Sequence, residues 1–249
     1  MEELVLTQDI ITLNNIFYNL NNIPIVIISW NSLTFIKNFI EQFIEFPNPI
    51  VILDNNSSFN PLIYYYKEIQ EKLPNKIHIA LLKKNYGHEV YLKFKNQLPK
   101  IYILSDPYLK IGPNFPKNFA EIFLNLSNKY KTYKIGATLD ISDKDLFINC
   151  PNYTHSLNIY DFELQYWKEP ILDDNYELYK ALVDTTFCLI NNNYDINNLQ
   201  IRIAGDFTMK HLPWYENYIK NNFLPDELII WKENNKSSSL LFSCLELFS

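Results

Sequence analysis

Several apolar runs in this chain end in polar side chains able to leave a sheet edge and meet a ligand. IPIVIIS ends in Ser29, Trp30 and Asn31, and PIVILD ends in Asp54, Asn55 and Asn56. A carboxylate such as Asp54 can accept the imide N–H of uracil or the N1–H of guanine, and the Trp30 indole offers a face for a base to stack on. Asp, Asn and Ser are also the favoured residues of turns and helix starts, so LDNNSS reads equally as a cap for the next helix. A third run leads to KKNYGH and a fourth, KIYILSD, to Asp106. In an open parallel sheet, such clusters share one crevice beyond the carboxyl ends of the strands.

Asp184 stands inside the apolar run ALVDTTFCLI. An unpaired charge there is costly, so it either has a chemical role or is satisfied by Thr185, Thr186 or backbone amides. Asp206 lies beside Gly205, and Asp173 with Asp174 reads as a solvated turn.

The elements that must position these residues follow from the rhythm of the chain. From Ile23 onward, strand-length apolar runs alternate with helix-length segments (Leu33 to Phe46, Pro61 to Leu73, His88 to Leu98) closed by Pro or Asn. This predicts an α/β fold, Rossmann-like, with a mostly parallel central sheet flanked by helices. After Pro116 the rhythm loosens into a helical stretch to Lys129, the strand-like KIGATLDI and a polar, aromatic segment to about Leu178. With no Gly/Ser linker, residues 1–249 read as a single domain, with halves at about 23–110 and 130–230.

The chain has only four glycines, Gly87, Gly112, Gly136 and Gly205, and none falls in dinucleotide or P-loop spacing. A diphosphate must therefore be held by side chains or by a cation. The net charge of −6 and scattered lysines exclude a nucleic-acid partner. No apolar stretch reaches membrane-spanning length, and three widely spaced cysteines, Cys150, Cys188 and Cys244, suit thiols in a reducing compartment. The expectation is a cytoplasmic protein with no membrane span. Arg202 is the only arginine; with Lys210 it lies near His211, and isolated basic residues of this kind read as surface charge.

The order IPIVIISWN, IVILDNNSS, KKNYG, LSDPYL resembles the GT-A fold glycosyltransferases, in particular the family 2-like inverting enzymes, over about residues 23 to 220. The resemblance implies transfer of a sugar from a UDP- or GDP-sugar donor, UDP-sugar favoured, to a glycan, protein or small-molecule acceptor. It implies donor binding by Ser29, Trp30, Asn31, Asp54, Asn55, Asn56, Lys84, Asn85, Gly87 and Asp106, with Asp54 reading the base. It also implies Mn2+ or Mg2+ on Asp106 and His211. The second carboxylate of the Asp-x-Asp pair is replaced by Tyr108, which motivates an alternative, a catalytically inactive module of the same fold that binds a glycan or protein partner. An inverting transfer needs a carboxylate to take the acceptor proton; Asp184 is the first candidate and Asp206 the second.

Overall fold

The computed structural model describes residues 2–150, 153–154, 156–196 and 199–234, so Cys244 lies outside the described residues. Helix α1 (Glu2–Tyr18) precedes three β-α steps and a fourth strand: β1 (Ile25–Ser29), α2 (Leu33–Phe43), β2 (Ile50–Asp54), α3 (Asn60–Lys72), β3 (Ile77–Leu81), α4 (Val90–Lys93) and β4 (Ile101–Ser105). Then come β5 (Leu109–Ile111), α5 (Phe119–Tyr130), β6 (Lys134–Ala137), α6 (Ile159–Leu164), β7 (Pro170–Ile171) and β8 (Leu178–Lys180). The described chain closes with β9 (Cys188–Asn191), β10 (Gln200–Ile203), β11 (Met209–His211), α7 (Glu216–Asn222) and α8 (Pro225–Asn234).

One nine-stranded sheet, in the order β3-β2-β1-β4-β9-β6-β10-β8-β7, takes strands from both halves of the chain. β1 to β4 run parallel, and so do β6 and β10; β9 and β8 are reversed. The sheet is thus mostly parallel, as expected. β1 and β2 are Ile/Val-rich and buried at every position, which is what a strand covered on both faces requires. α2 turns Leu33, Phe35, Ile36, Phe39, Ile40 and Phe43 inward at helical spacing.

The N-terminus of α2 has no side-chain cap from its own Ser32. Glu227, from α8, supplies one: its carboxylate accepts from the Thr34 N–H at 2.8 Å and the Thr34 hydroxyl at 2.6 Å. The carboxylate is fully buried, yet it satisfies a backbone donor that would otherwise be orphaned.

Two elements differ from expectation. The His88 to Leu98 segment is helical only over Val90–Lys93. KIGATLDI is a strand only over Lys134–Ala137. Within the apolar run ALVDTTFCLI, β9 begins at Cys188. α1 had no counterpart in the sequence reading; its Leu13 is buried with Val26, Val51 and Ala80 of the sheet. Cys188 is a buried free thiol, whereas Cys150 is disulfide-bonded, against the expectation of three thiols. Among the described residues, no helix is long and apolar enough to cross a membrane.

Candidate active site

β1 and β2 are in register with Ser29 opposite Asp54, so their terminal polar residues emerge side by side. The chain after β1 takes a left-handed step at Asn31 (φ 50), a conformation Asn tolerates better than most residues. The Asn31 side-chain oxygen then accepts from the Ser58 N–H at 2.8 Å and the Phe59 N–H at 3.0 Å, and its own N–H donates to the Ser57 hydroxyl at 2.8 Å. Asp54 is fully buried beneath this turn. Its carboxylate accepts from the Ser57 N–H (2.7 Å), the Ser57 hydroxyl (2.6 Å) and the Tyr66 hydroxyl (3.0 Å), and the Tyr66 and Ser29 hydroxyls lie 3.1 Å apart. Desolvation raises the Asp54 carboxyl above its ordinary value despite those donors. Trp30 is partly exposed at the same edge, and Asn56, also left-handed (φ 62), is exposed.

Buried Asn55 joins this turn to the loop after β3: its amide donates to the Gly87 carbonyl at 3.0 Å and accepts from the Tyr86 N–H at 3.1 Å. The Asn85 side chain accepts from the Gly87 N–H at 2.8 Å, and Gly87 takes φ 79, where a side chain would be strained. Lys84 and Asn85 are exposed on this loop.

β9 runs antiparallel to β4 with Leu104 opposite Cys188, so residues just before β9 reach the edge where the chain leaves β4. This brings Thr185 to Asp106, whose carboxylate accepts the Thr185 hydroxyl at 2.8 Å. Asp184 is exposed and belongs to an irregular loop before β9, against the burial that the apolar run around it implied. Its carboxylate accepts from the Thr186 N–H at 2.8 Å. Their surroundings shift the two acids in opposite directions. Desolvation, then the neighbouring Asp184 charge, pushes the Asp106 carboxyl up to about 7. Desolvation acts on Asp184 too, but Arg202 and the Thr186 donors outweigh it and hold that carboxyl below its ordinary value.

Three features fix the Asp184 loop. Val183 and Cys188 pass so close over β6 that a Cβ on Gly136 would lie 2.6 Å from a Val183 methyl and 2.9 Å from the Cys188 Cβ. Phe187 is left-handed (φ 39), a strain of about 1–3 kcal/mol for a residue with a side chain. Burying its ring contributes about 1.5–3 kcal/mol, and contacts with Phe43 and Phe119, each at 5.2 Å between ring centroids, add to that. Arg202, the third feature, is buried rather than a surface charge: it pairs with Glu163, donates from Nε to the Leu182 carbonyl at 2.8 Å and lies 4.0 Å over the Tyr166 ring.

The short sheet of β5 and β11 sets His211 opposite Leu109, three residues beyond Asp106. Burial drives the His211 imidazole down to about 4, with Asp184 only partly offsetting it, so the ring is neutral. Its Nδ1 is buried without a hydrogen-bond partner among the described residues. Tyr108 packs edge-on against Phe35 (4.8 Å) and His211 (6.1 Å). Desolvation and then Asp106 raise its hydroxyl well above the ordinary tyrosine value, so it stays protonated. Among the described residues, no group of three or more His, Cys, Asp or Glu side chains is placed to hold a metal ion. A carboxylate already accepting from Thr185, a neutral phenol and one imidazole do not fit a divalent cation held by the protein.

Ser29, Asn31, Asp54 and Asn55 are thus joined by hydrogen bonds to Ser57, Tyr66, Tyr86 and Gly87, while the Asp184 charge acts on both Asp106 and His211. Asp206 stands apart, exposed in the Gly205–Phe207 turn. Lys210, nearby in sequence, pairs with Asp143 and lies 3.8 Å from Asp140. Sequence reasoning missed Arg202 with Glu163; being the only arginine, in a strand of buried residues, was the available signal.

No protein-family model matches the sequence, and no curated protein matches it either. Solved structures do. The crystal structure of GalNAc-T7 with UDP, GalNAc and Mn2+ aligns with a TM-score of 0.54 at 12% identity, covering 87% of this chain and 49% of that one. This chain therefore spans about half the length of that protein. The mannosyltransferase PcManGT from Pyrobaculum calidifontis, in complex with GDP-Man and Mn2+, aligns with a TM-score of 0.48 at 9% identity, covering 96% of this chain and 79% of that one. With its sheet order and the placement of its polar loops at the carboxyl edge, the chain has a GT-A glycosyltransferase fold.

Proposed function

We propose that this chain transfers a glycosyl group from a nucleoside-diphosphate sugar, UDP-sugar favoured, to a hydroxyl of a glycan, protein or small-molecule acceptor, with inversion. The observation that carries the proposal is the meeting, at one sheet edge, of the Trp30–Asn31, Asp54–Asn56 and Lys84–Gly87 segments with the carboxyls of Asp106 and Asp184, which their surroundings shift in opposite directions. Trp30 offers a face to the base, and Asp54 acts on it through the Asn56–Ser57 turn that its carboxylate builds. Asp106 and the His211 Nδ1, which has no partner among the described residues, are hydrogen-bonding groups for the ribose or diphosphate.

Asp184, ionised at neutral pH, takes the proton of the acceptor hydroxyl. The acceptor oxygen then bonds to the anomeric carbon as the bond to the nucleoside diphosphate breaks on the opposite face. Two carboxylates whose surroundings push their protonation apart divide the work in this way: one accepts a proton, the other donates a hydrogen bond. Asp206 is the second candidate for the base.

Calorimetric titration with UDP, GDP and their sugars tests the reading. Binding of one nucleotide, together with loss of turnover but retained binding in Asp184→Asn, supports it; a protein that binds none of them refutes it. Tyr108 favours a second reading, a module that keeps the fold without catalysis. That reading expects no sugar-nucleotide hydrolysis on long incubation, and release of free nucleoside diphosphate rules it out.

A further inference from the structure

The loop Lys83–Gly87 pairs with no strand, yet it is held from two sides. Asn55 grips it at Tyr86 and Gly87 from the sheet edge. The other grip comes from α1, which precedes the first strand. Asp9, in the middle of that helix, is 1% exposed, and its carboxylate serves this loop. One oxygen accepts from the Lys83 N–H at 3.0 Å and the other from the Tyr86 hydroxyl at 2.8 Å, across sequence separations of 74 and 77 residues. The Tyr86 ring packs edge-on against buried Phe94 at 5.1 Å, which fixes its hydroxyl over α1.

A buried carboxylate is unfavourable unless its hydrogen bonds are made, and those of Asp9 both go to this loop. Between the anchored residues, the exposed side chains of Lys84 and Asn85 are set in one place without further ordering when a ligand arrives, and ordering of that kind weakens binding when it must happen on association.

We infer that Asp9 is a positioning residue for the donor nucleotide, acting through the Lys83–Gly87 loop; this rests on the nucleotide-sugar reading above. α1 is then a working part of the pocket, although it lies outside the β-α repeats.

The test uses the full chain with UDP as the probe, in Asp9→Ala and in Tyr86→Phe, which removes a single hydroxyl and leaves the ring packed. Hydrogen–deuterium exchange is followed on peptides spanning 83–87, and UDP affinity is measured by calorimetry below the unfolding midpoint. Asp9→Ala is expected to speed exchange in 83–87 by about tenfold, with the β1 and β2 peptides unchanged, and to weaken UDP about five- to tenfold. Tyr86→Phe should weaken UDP about two- to threefold. UDP affinity unchanged in both variants overturns the role of Asp9 while leaving the nucleotide reading intact. Wild-type protein that binds neither UDP nor GDP overturns both.

Discussion

The Nε of Arg202 donates to the carbonyl of Leu182 at 2.8 Å, two residues before Asp184, while the same guanidinium pairs with Glu163. Removing the guanidinium would leave the Glu163 carboxyl buried without its partner. Arg202→Met is therefore expected to cost about 3–5 kcal/mol of stability. Adding Glu163→Gln should recover part of that loss. Urea unfolding of the single and double variants checks both.

Close passage over β6 makes a similar demand on Gly136. An alanine methyl there meets the Val183 side chain, the Cys188 Cβ and the Phe187 carbonyl at 2.6, 2.9 and 3.1 Å. Gly136→Ala should lower stability by about 1–3 kcal/mol. It should also reduce turnover with little change in nucleotide affinity, because the segment displaced carries Asp184 and not the β1–β2 turn. Unfolding curves and calorimetry together separate these effects.

Asp106 should impose a pH dependence on stability. Its carboxyl, at about 7 in the folded protein, holds a proton that the unfolded chain has already released above its ordinary value of 3.8. Its contribution is thus fully present at acidic pH and is lost as pH rises through about 7. Asp106→Asn should remove this slope, gaining about 1–3 kcal/mol on wild type between roughly pH 5 and pH 8. Glu163, raised to about 7 chiefly by desolvation, keeps its own share of the slope in that variant. Denaturant titrations across that pH range read the difference.

Tyr108 stands where the resemblance to GT-A enzymes leads one to expect the second carboxylate of a metal site. In wild type, Mn2+ should change UDP affinity by less than about threefold, whereas Tyr108→Asp should make UDP bind about tenfold more tightly with Mn2+ than without it. Calorimetry with Mn2+ and with EDTA measures both. A large Mn2+ effect in wild type would contradict the donor set described above.

The β-α repeats were legible because Ile/Val runs such as IVIIS and IVILD have few other stable places than a covered parallel strand. The polar ends Ser29 and Asp54 could be placed for the same reason. The role of Asp54 was less legible: its carboxylate turns inward to Ser57 and Tyr66, and residue type alone does not separate a turn builder from a ligand contact. The exposure of Asp184 was not legible because the apolar residues around it suggested burial, whereas Val183 and Phe187 are buried from a loop, through Gly136 and the aromatic core, and leave Asp184 at the surface. Asp9 and Arg202 owe their roles to partners 74 and 39 residues away, and no local pattern announces such contacts.

The Glu227 carboxylate that closes the first turn of α2 comes from 193 residues downstream of Thr34. During synthesis the first four strands of the sheet emerge from the ribosome long before this acid does. A nascent chain can pair β1 to β4 early, but the helix beginning three residues after Trp30 keeps an open amide until α8 has been made. Closure of the turn beside Trp30 is thereby tied to the synthesis of α8.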